Sequence, residues 1–136
     1  MMFSTKGRYA LRMMIDIAKQ GPGARSSLRE VSSRQDISLK YLEQLASDLV
    51  ADGLLKSIRG ARGGYMLAKD ASQISAGDIL RTAEGTCAPI SCLDKDAPIC
   101  PRKNACSTIA FWEGLDNAID GYINSVSLED LIKDSH

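Results

Sequence analysis

At the start of the chain the apolar residues fall at helical rather than alternating intervals. Leu11, Met14, Ile15 and Ala18 recur three and four apart, which predicts a helix from Ser4 to Lys19. Gly21-Pro22-Gly23 breaks it. Ser27-Leu28-Arg29-Glu30 has the form of a capping box, in which hydroxyl and carboxylate each accept from the other residue's backbone amide. A short second helix follows to about Gln35, and Asp36-Ile37 turns the chain. Ser38 can cap a third helix, with Ile37 and Leu42 spaced as a hydrophobic staple. Leu39, Leu42, Leu45, Ala46 and Leu49 make its apolar stripe. Lys40, Tyr41, Gln44, Ser47 and Asp48 lie on the other side, and Gly53 is placed to end it. Two short helices joined by a tight turn form a helix-turn-helix pattern, which a plain amphipathic pair also satisfies.

Beyond Gly53 the period changes. Apolar, strand-like flanks surround Arg59-Gly60-Ala61-Arg62-Gly63-Gly64, which predicts a hairpin whose glycines supply positive φ angles. A hairpin directly after a helix-turn-helix is winged-helix order. Ser75 to Ala83 reads as a short helix with Ile79 and Leu80 apolar. The aperiodic stretch after it holds Pro89, Pro98 and Pro101 and reads as a loop. A long helix from about Asn104 to Asn124 carries Ile109, Trp112, Leu115, Ile119, Tyr122, Ile123 and Val126 along one side. So large a stripe, remote from a compact first part, suits pairing with a second copy, and Gly114 and Gly121 allow close approach. Ser127-Leu128-Glu129-Asp130 starts a short last helix. The expected fold is mainly α with a small β-hairpin, a winged helix-turn-helix plus a long dimerisation helix. Its expected divisions are residues 1–84, 85–107 and 108–136.

Charge sharpens this picture. The net charge of the 136 residues is zero. Residues 1–70, however, hold 12 Lys and Arg against 7 Asp and Glu, and residues 71–136 hold 5 against 10. A basic half joined to an acidic half points to a polyanion partner for the first. Two arginines at a glycine-rich tip make a basic finger of the kind that enters a minor groove or clamps phosphates. Tyr41 and Gln44 offer hydrogen bonds near the start of the third helix, where a recognition helix meets base edges. No run approaches the roughly 20 apolar residues of a membrane span, and the first 20 residues lack the pattern of a signal peptide, so a cytoplasmic location is expected. No nucleophile motif appears, and the lone histidine, His136, stands at the end of the chain, so an enzyme is not expected.

All four cysteines fall within twenty residues, spaced C-x4-C-x7-C-x5-C from Cys87 to Cys106. Thiols stay reduced in the cytosol, so disulfides are disfavoured there. Three chemistries remain: an iron–sulfur cluster, zinc, and a thiol redox switch. The paired knuckles usual in structural zinc sites are missing. Arg102 and Lys103, between two of the thiols, would favour thiolates and offset cluster charge.

STKGRYALR at 4–12, ISLKYLEQL at 37–45, GLLKSIRGARGGYML at 53–67, ISAGDILR at 74–81 and SLEDL at 127–131 carry a resemblance over nearly the whole chain. The sequence resembles the IscR/NsrR/CymR/RirA family of winged-helix bacterial regulators, nearest IscR. That resemblance implies a homodimer acting as a repressor or activator on a pseudo-palindromic double-stranded DNA operator. It implies DNA contacts from Ser38, Lys40, Tyr41 and Gln44 and from the wing residues Arg59 and Arg62. It also implies a [2Fe–2S] or [4Fe–4S] cluster on Cys92, Cys100 and Cys106, sensing cluster status and controlling cluster assembly, iron or sulfur metabolism. Enteric-type members place a histidine three residues after the last cysteine, whereas this chain has Ile109. The fourth ligand is left open between Cys87, an oxygen ligand, a residue of the partner subunit and a small thiol. The alternative functions are a cluster-free repressor of cysteine metabolism acting with a partner enzyme, and a nitric-oxide or redox sensor.

Overall fold

A computed structural model describes residues 3–93 and 106–134. The elements are α1 (Thr5–Lys19), α2 (Leu28–Gln35), α3 (Leu39–Ala51), β1 (Leu55–Ile58), β2 (Gly64–Leu67), α4 (Ala76–Glu84), α5 (Ile109–Ser125) and α6 (Leu128–Asp134), with 3₁₀ turns at Ala71–Gln73 and Ser91–Leu93.

Serines start most of these helices. Ser4 accepts from the Lys6 amide, Ser38 from the Tyr41 amide, and Ser27 and Glu30 form the full capping box. Ser75 with Asp78 and Ser127 with Asp130 repeat that box at α4 and α6. Each cap satisfies an amide that the first helical turn leaves without a partner. Asp36 adopts a left-handed conformation (φ 55°) and turns α2 into α3, and Gly53 (φ 77°) takes the chain out of α3.

The β1–β2 hairpin is antiparallel, with Leu55 opposite Leu67 and Ile58 opposite Gly64. Ser26 adds an edge rung on the other side of β2, exchanging backbone hydrogen bonds of 2.9 and 2.8 Å with Tyr65. This short edge ties the wing to the strand-like approach to α2.

α1 is the central element and packs against α2, α3, α4, α6 and β2. Because neighbours lie on several sides, its buried face is wider than the predicted stripe. Ala10, Met13, Met14 and Ile17 are fully buried, whereas Leu11, Ile15 and Ala18 are half-buried on its flank. In α3, Leu42, Leu45, Ala46 and Leu49 are buried as expected, while Leu39 is only half-buried. α6 returns to the same core through Leu128, pinned by hydrogen bonds of 2.7 Å from Ala76 to Val126 and from Leu128 to Ile74. A second, smaller core joins Leu80, Cys87 and Ile123, with Phe3, Leu11 and Ile119 against it.

α5 starts at Ile109, later than the predicted boundary near Asn104. Ser107 and Thr108, both weak helix formers, form a turn before it. Among the described residues no helix is long and apolar enough to cross a membrane.

Candidate nucleic-acid interface and cysteine site

The exposed side of α3 begins at its cap. Ser38 is exposed, and its hydroxyl accepts from Tyr41 N at 3.2 Å, which leaves the hydroxyl proton free to be donated outward. Lys40 and Gln44 are exposed on the same end of the helix. Tyr41 is half-buried and braced: its ring meets Tyr9 edge-on at 5.4 Å, and the Arg12 guanidinium lies 5.2 Å from the Tyr9 centroid. Arg12 in turn donates to Gln35 Oε1 at 3.2 Å and to the Gln35 carbonyl. The recognition-type face is thus fixed from behind by α1 and the end of α2. Burial, with Tyr9 and Glu84 nearby, pushes the Tyr41 phenol above its usual range, so it stays a neutral donor and acceptor at physiological pH.

Lys6 of α1 borders a shallow depression with Tyr41, Gln44, Leu45 and Asp48. The periodicity of α1 did not single it out. Only its position in the basic opening segment, beside the N-terminal turn that α3 packs near, could have done so.

The hairpin tip holds Arg59 and Arg62, both exposed. Gly60 has φ 108°, and Gly63 N donates to Gly60 O at 2.9 Å, closing the turn. A Cβ at Gly63 would collide with the Ile58 carbonyl oxygen. Arg25 donates to the Arg62 carbonyl at 3.2 Å, adding a third cation beside the tip. The wing's root is fixed to α3 by a bond of 2.9 Å from Leu54 N to Leu49 O. The predicted residues therefore form two groups, one on the first turns of α3 and one on the hairpin that leaves it. Such an array of exposed donors and cations can contact phosphates and base edges.

Of the cysteines, Cys87 faces inward at 4 % exposure, packed with Leu80 and Ile123. Burial pushes its thiol above the usual range, with Asp120, Glu84 and Asp116 adding to the rise and Arg81 opposing it. That environment disfavours a free thiolate. Cys92 and Cys106 are exposed. Cys106 stands just before α5, whose first turn carries no acidic residue and whose free amides favour negative charge. Its sulfur lies 3.6 Å from Thr108 Oγ1. Cys100, Arg102, Lys103 and His136 lie outside the described residues. Among the described residues no three His, Cys, Asp or Glu side chains gather as a metal-holding group. Exposed thiols such as Cys92 and Cys106 are soft donors of the kind that suit iron–sulfur clusters or zinc, whereas Cys87 is packed into the second core.

Comparison with known proteins gives a consistent result. The family described as Rrf2, iron-dependent transcriptional regulator, matches residues 3–134. The HTH-type transcriptional regulator IscR of Escherichia coli O1:K1 is 38 % identical over 132 residues, covering 97 % of this chain and 80 % of the relative. Among solved structures, CymR of B. subtilis, described as its global cysteine regulator, superposes with a TM-score of 0.80 at 38 % identity, covering 100 % of this chain and 99 % of that one. IscR of T. potens superposes with a TM-score of 0.76 at 34 % identity, covering 100 % and 89 %.

Proposed function

The chain belongs to the Rrf2 family of transcriptional regulators, and from that premise we propose that it is a homodimeric repressor whose DNA affinity is set by an iron–sulfur cluster held in the cysteine segment. The observation that carries the DNA part is the exposed polar start of α3 beside a hairpin tip with two exposed arginines. Ser38, Lys40, Tyr41 and Gln44 lie toward the major groove, with Tyr41 and Gln44 offered to base edges and Ser38 and Lys40 to phosphates. Arg59 and Arg62 reach the adjacent minor groove or its phosphates. Two copies joined through α5 read a pseudo-palindromic operator.

Cys92, Cys100 and Cys106 would hold the cluster, with Cys87 kept as a core residue. When bound, such a group supplies a redox-labile, oxidant-sensitive crosslink between three thiolates. The chain's own part is mechanical. The segment that the three thiolates anchor runs from the end of α4 to the start of α5, so ordering it biases the placement of α4 against both winged helix and α5. The proposed targets are genes of cluster assembly, iron or sulfur metabolism, and the proposed location is the cytoplasm.

Anaerobic purification with visible absorption, iron and sulfide assays tests the cofactor. A brown native protein and a colourless Cys92/Cys100/Cys106 triple alanine variant are expected; a colourless, iron-free native protein that still binds DNA would point to zinc or thiol sensing. For the interface, Arg59→Ala is expected to weaken operator binding and to lower the salt slope by about one phosphate contact. Unchanged affinity at every salt concentration would remove Arg59 from it.

A further inference from the structure

The last turn of α4 holds three other helices. Arg81 donates to Asn124 Oδ1 of α5 at 2.7 Å. Thr82 Oγ1 lies 2.6 Å from Asp52 Oδ2 at the end of α3. Glu84 accepts from the backbone amide and the hydroxyl of Ser4 at the start of α1, the latter at 2.5 Å. Gly85 then ends α4, and Cys87 packs back onto Leu80 of the same helix.

Thr82 is the informative member. A helical threonine ordinarily donates to the carbonyl four residues back, here that of Asp78 at 3.0 Å. The Asp52 carboxylate is nearer and charged, so it takes the proton. Asp52 caps α3, Gly53 follows, and the Leu54 amide is bonded back to Leu49 before β1 begins. The Thr82 hydroxyl therefore ties α4 to the point where the proposed reading helix stops and the wing starts, beside the backbone bonds that close the end of α3.

We propose that this turn of α4 couples the cysteine segment to the DNA-reading elements, with Thr82 the positioning residue that acts through Asp52. The proposal rests on the reading of residues 87–106 as the sensing segment. A shift of the α4 end reaches α3 and the root of the hairpin together, and Glu84 carries the same shift to α1 behind Tyr41. The reading head is re-aimed through α4.

The test compares native, Thr82→Val and Thr82→Ser chains, each reconstituted anaerobically with iron and sulfide and each again after the iron is stripped. The ratio of operator affinities between loaded and stripped protein is expected to collapse toward one in Thr82→Val and to return in Thr82→Ser. Iron content, dimer mass and Tm should stay at native values, which separates coupling from a merely structural role. A second measurement needs no cluster: a double-mutant cycle of Cys87→Ser against Thr82→Val on iron-free protein, read as operator affinity. Non-additivity of about twofold or more is expected. A native chain that takes up no iron but shows a non-additive cycle would sink the sensor reading and keep the coupling. A stable Thr82→Val protein with an unchanged ratio and an additive cycle overturns the proposal.

Discussion

Asp16 is a charged residue in the main core, 4 % exposed, and its partners explain why it is tolerated. Arg34 donates to both carboxylate oxygens, at 2.6 to 3.1 Å, and Gln35 adds a bond of 2.8 Å. Arg34 also reaches Ser26 Oγ at 3.1 Å, so one cluster links α1, α2 and the edge rung of the wing. Removing the carboxylate leaves three donors short of an acceptor. The Arg34 side chain is a third exposed, so water relieves part of that loss. Asp16→Ala is expected to destabilise the protein by about 2–3 kcal/mol, and Asp16→Asn by less. Urea unfolding checks it, and a midpoint equal to native in both variants would contradict it. This cluster was not legible in the sequence, because Asp16 and Arg34 are brought together by packing and not by spacing along one helix. The caps at Ser27, Ser38 and Ser127 were legible, since each acts within three residues of itself; those at Ser4 and Ser75 follow the same local rule but were not singled out.

At the scale of elements, two features carry predictions. The α2 capping box holds Glu30 below its ordinary value of 4.5, first through the Ser27 amide and then through the Ser27 hydroxyl, with Arg34 adding to the fall and burial and Asp16 opposing it. A carboxyl lowered in the folded state adds stability that is complete above its unfolded value and is lost as pH falls through the folded one. The Tm gap between native and Glu30→Gln protein should therefore be widest near neutral pH and close as the solution is acidified below about pH 4. A gap independent of pH would assign the effect to helix propensity instead. In the wing, Gly64 has φ 151°, and a Cβ there would lie 2.7 Å from the Ser26 carbonyl oxygen. Gly64→Ala should cost about 1–3 kcal/mol and release the Ser26–Tyr65 rung. Operator affinity should fall more than Tm does, measured by titration beside a thermal melt. The hairpin was legible because glycines and apolar flanks mark it locally. The face of α1 was legible in part: Met14 is buried and Leu11, Ile15 and Ala18 pack at the core's edge, but four helices and a strand converge on the helix and widen that face. The start of α5 was misplaced because apolar periodicity does not register the weak formers ahead of Ile109.

The whole molecule leaves one large question of packing. α5 buries only Ile123 fully, while Phe111 is 59 % and Tyr122 70 % exposed, and Trp112, Leu115 and Ile119 are half-buried. A helix with that much apolar surface uncovered is accounted for if it meets its own copy, as the proposed dimer requires. The stripe itself was readable from sequence; whether it faced inward was not, since periodicity gives a face and not its occupant. The charge division acts at this scale too: the acids concentrate in the second half, which suits the proposal that the basic half meets DNA. Asp116 and Asp120 lie one turn apart on α5, and burial, then Asp120, raises the Asp116 carboxyl. If α5 is the dimer seam, a charge placed on its exposed aromatic rim should divide the dimer without touching the reading head. Phe111→Asp combined with Tyr122→Asp is expected to yield a folded monomer by light scattering. That monomer should bind one half-site weakly, with about half the native salt slope, because half the phosphate contacts are gone. A variant that stays dimeric at native mass, or a monomer with the full slope, would move the seam elsewhere on the chain.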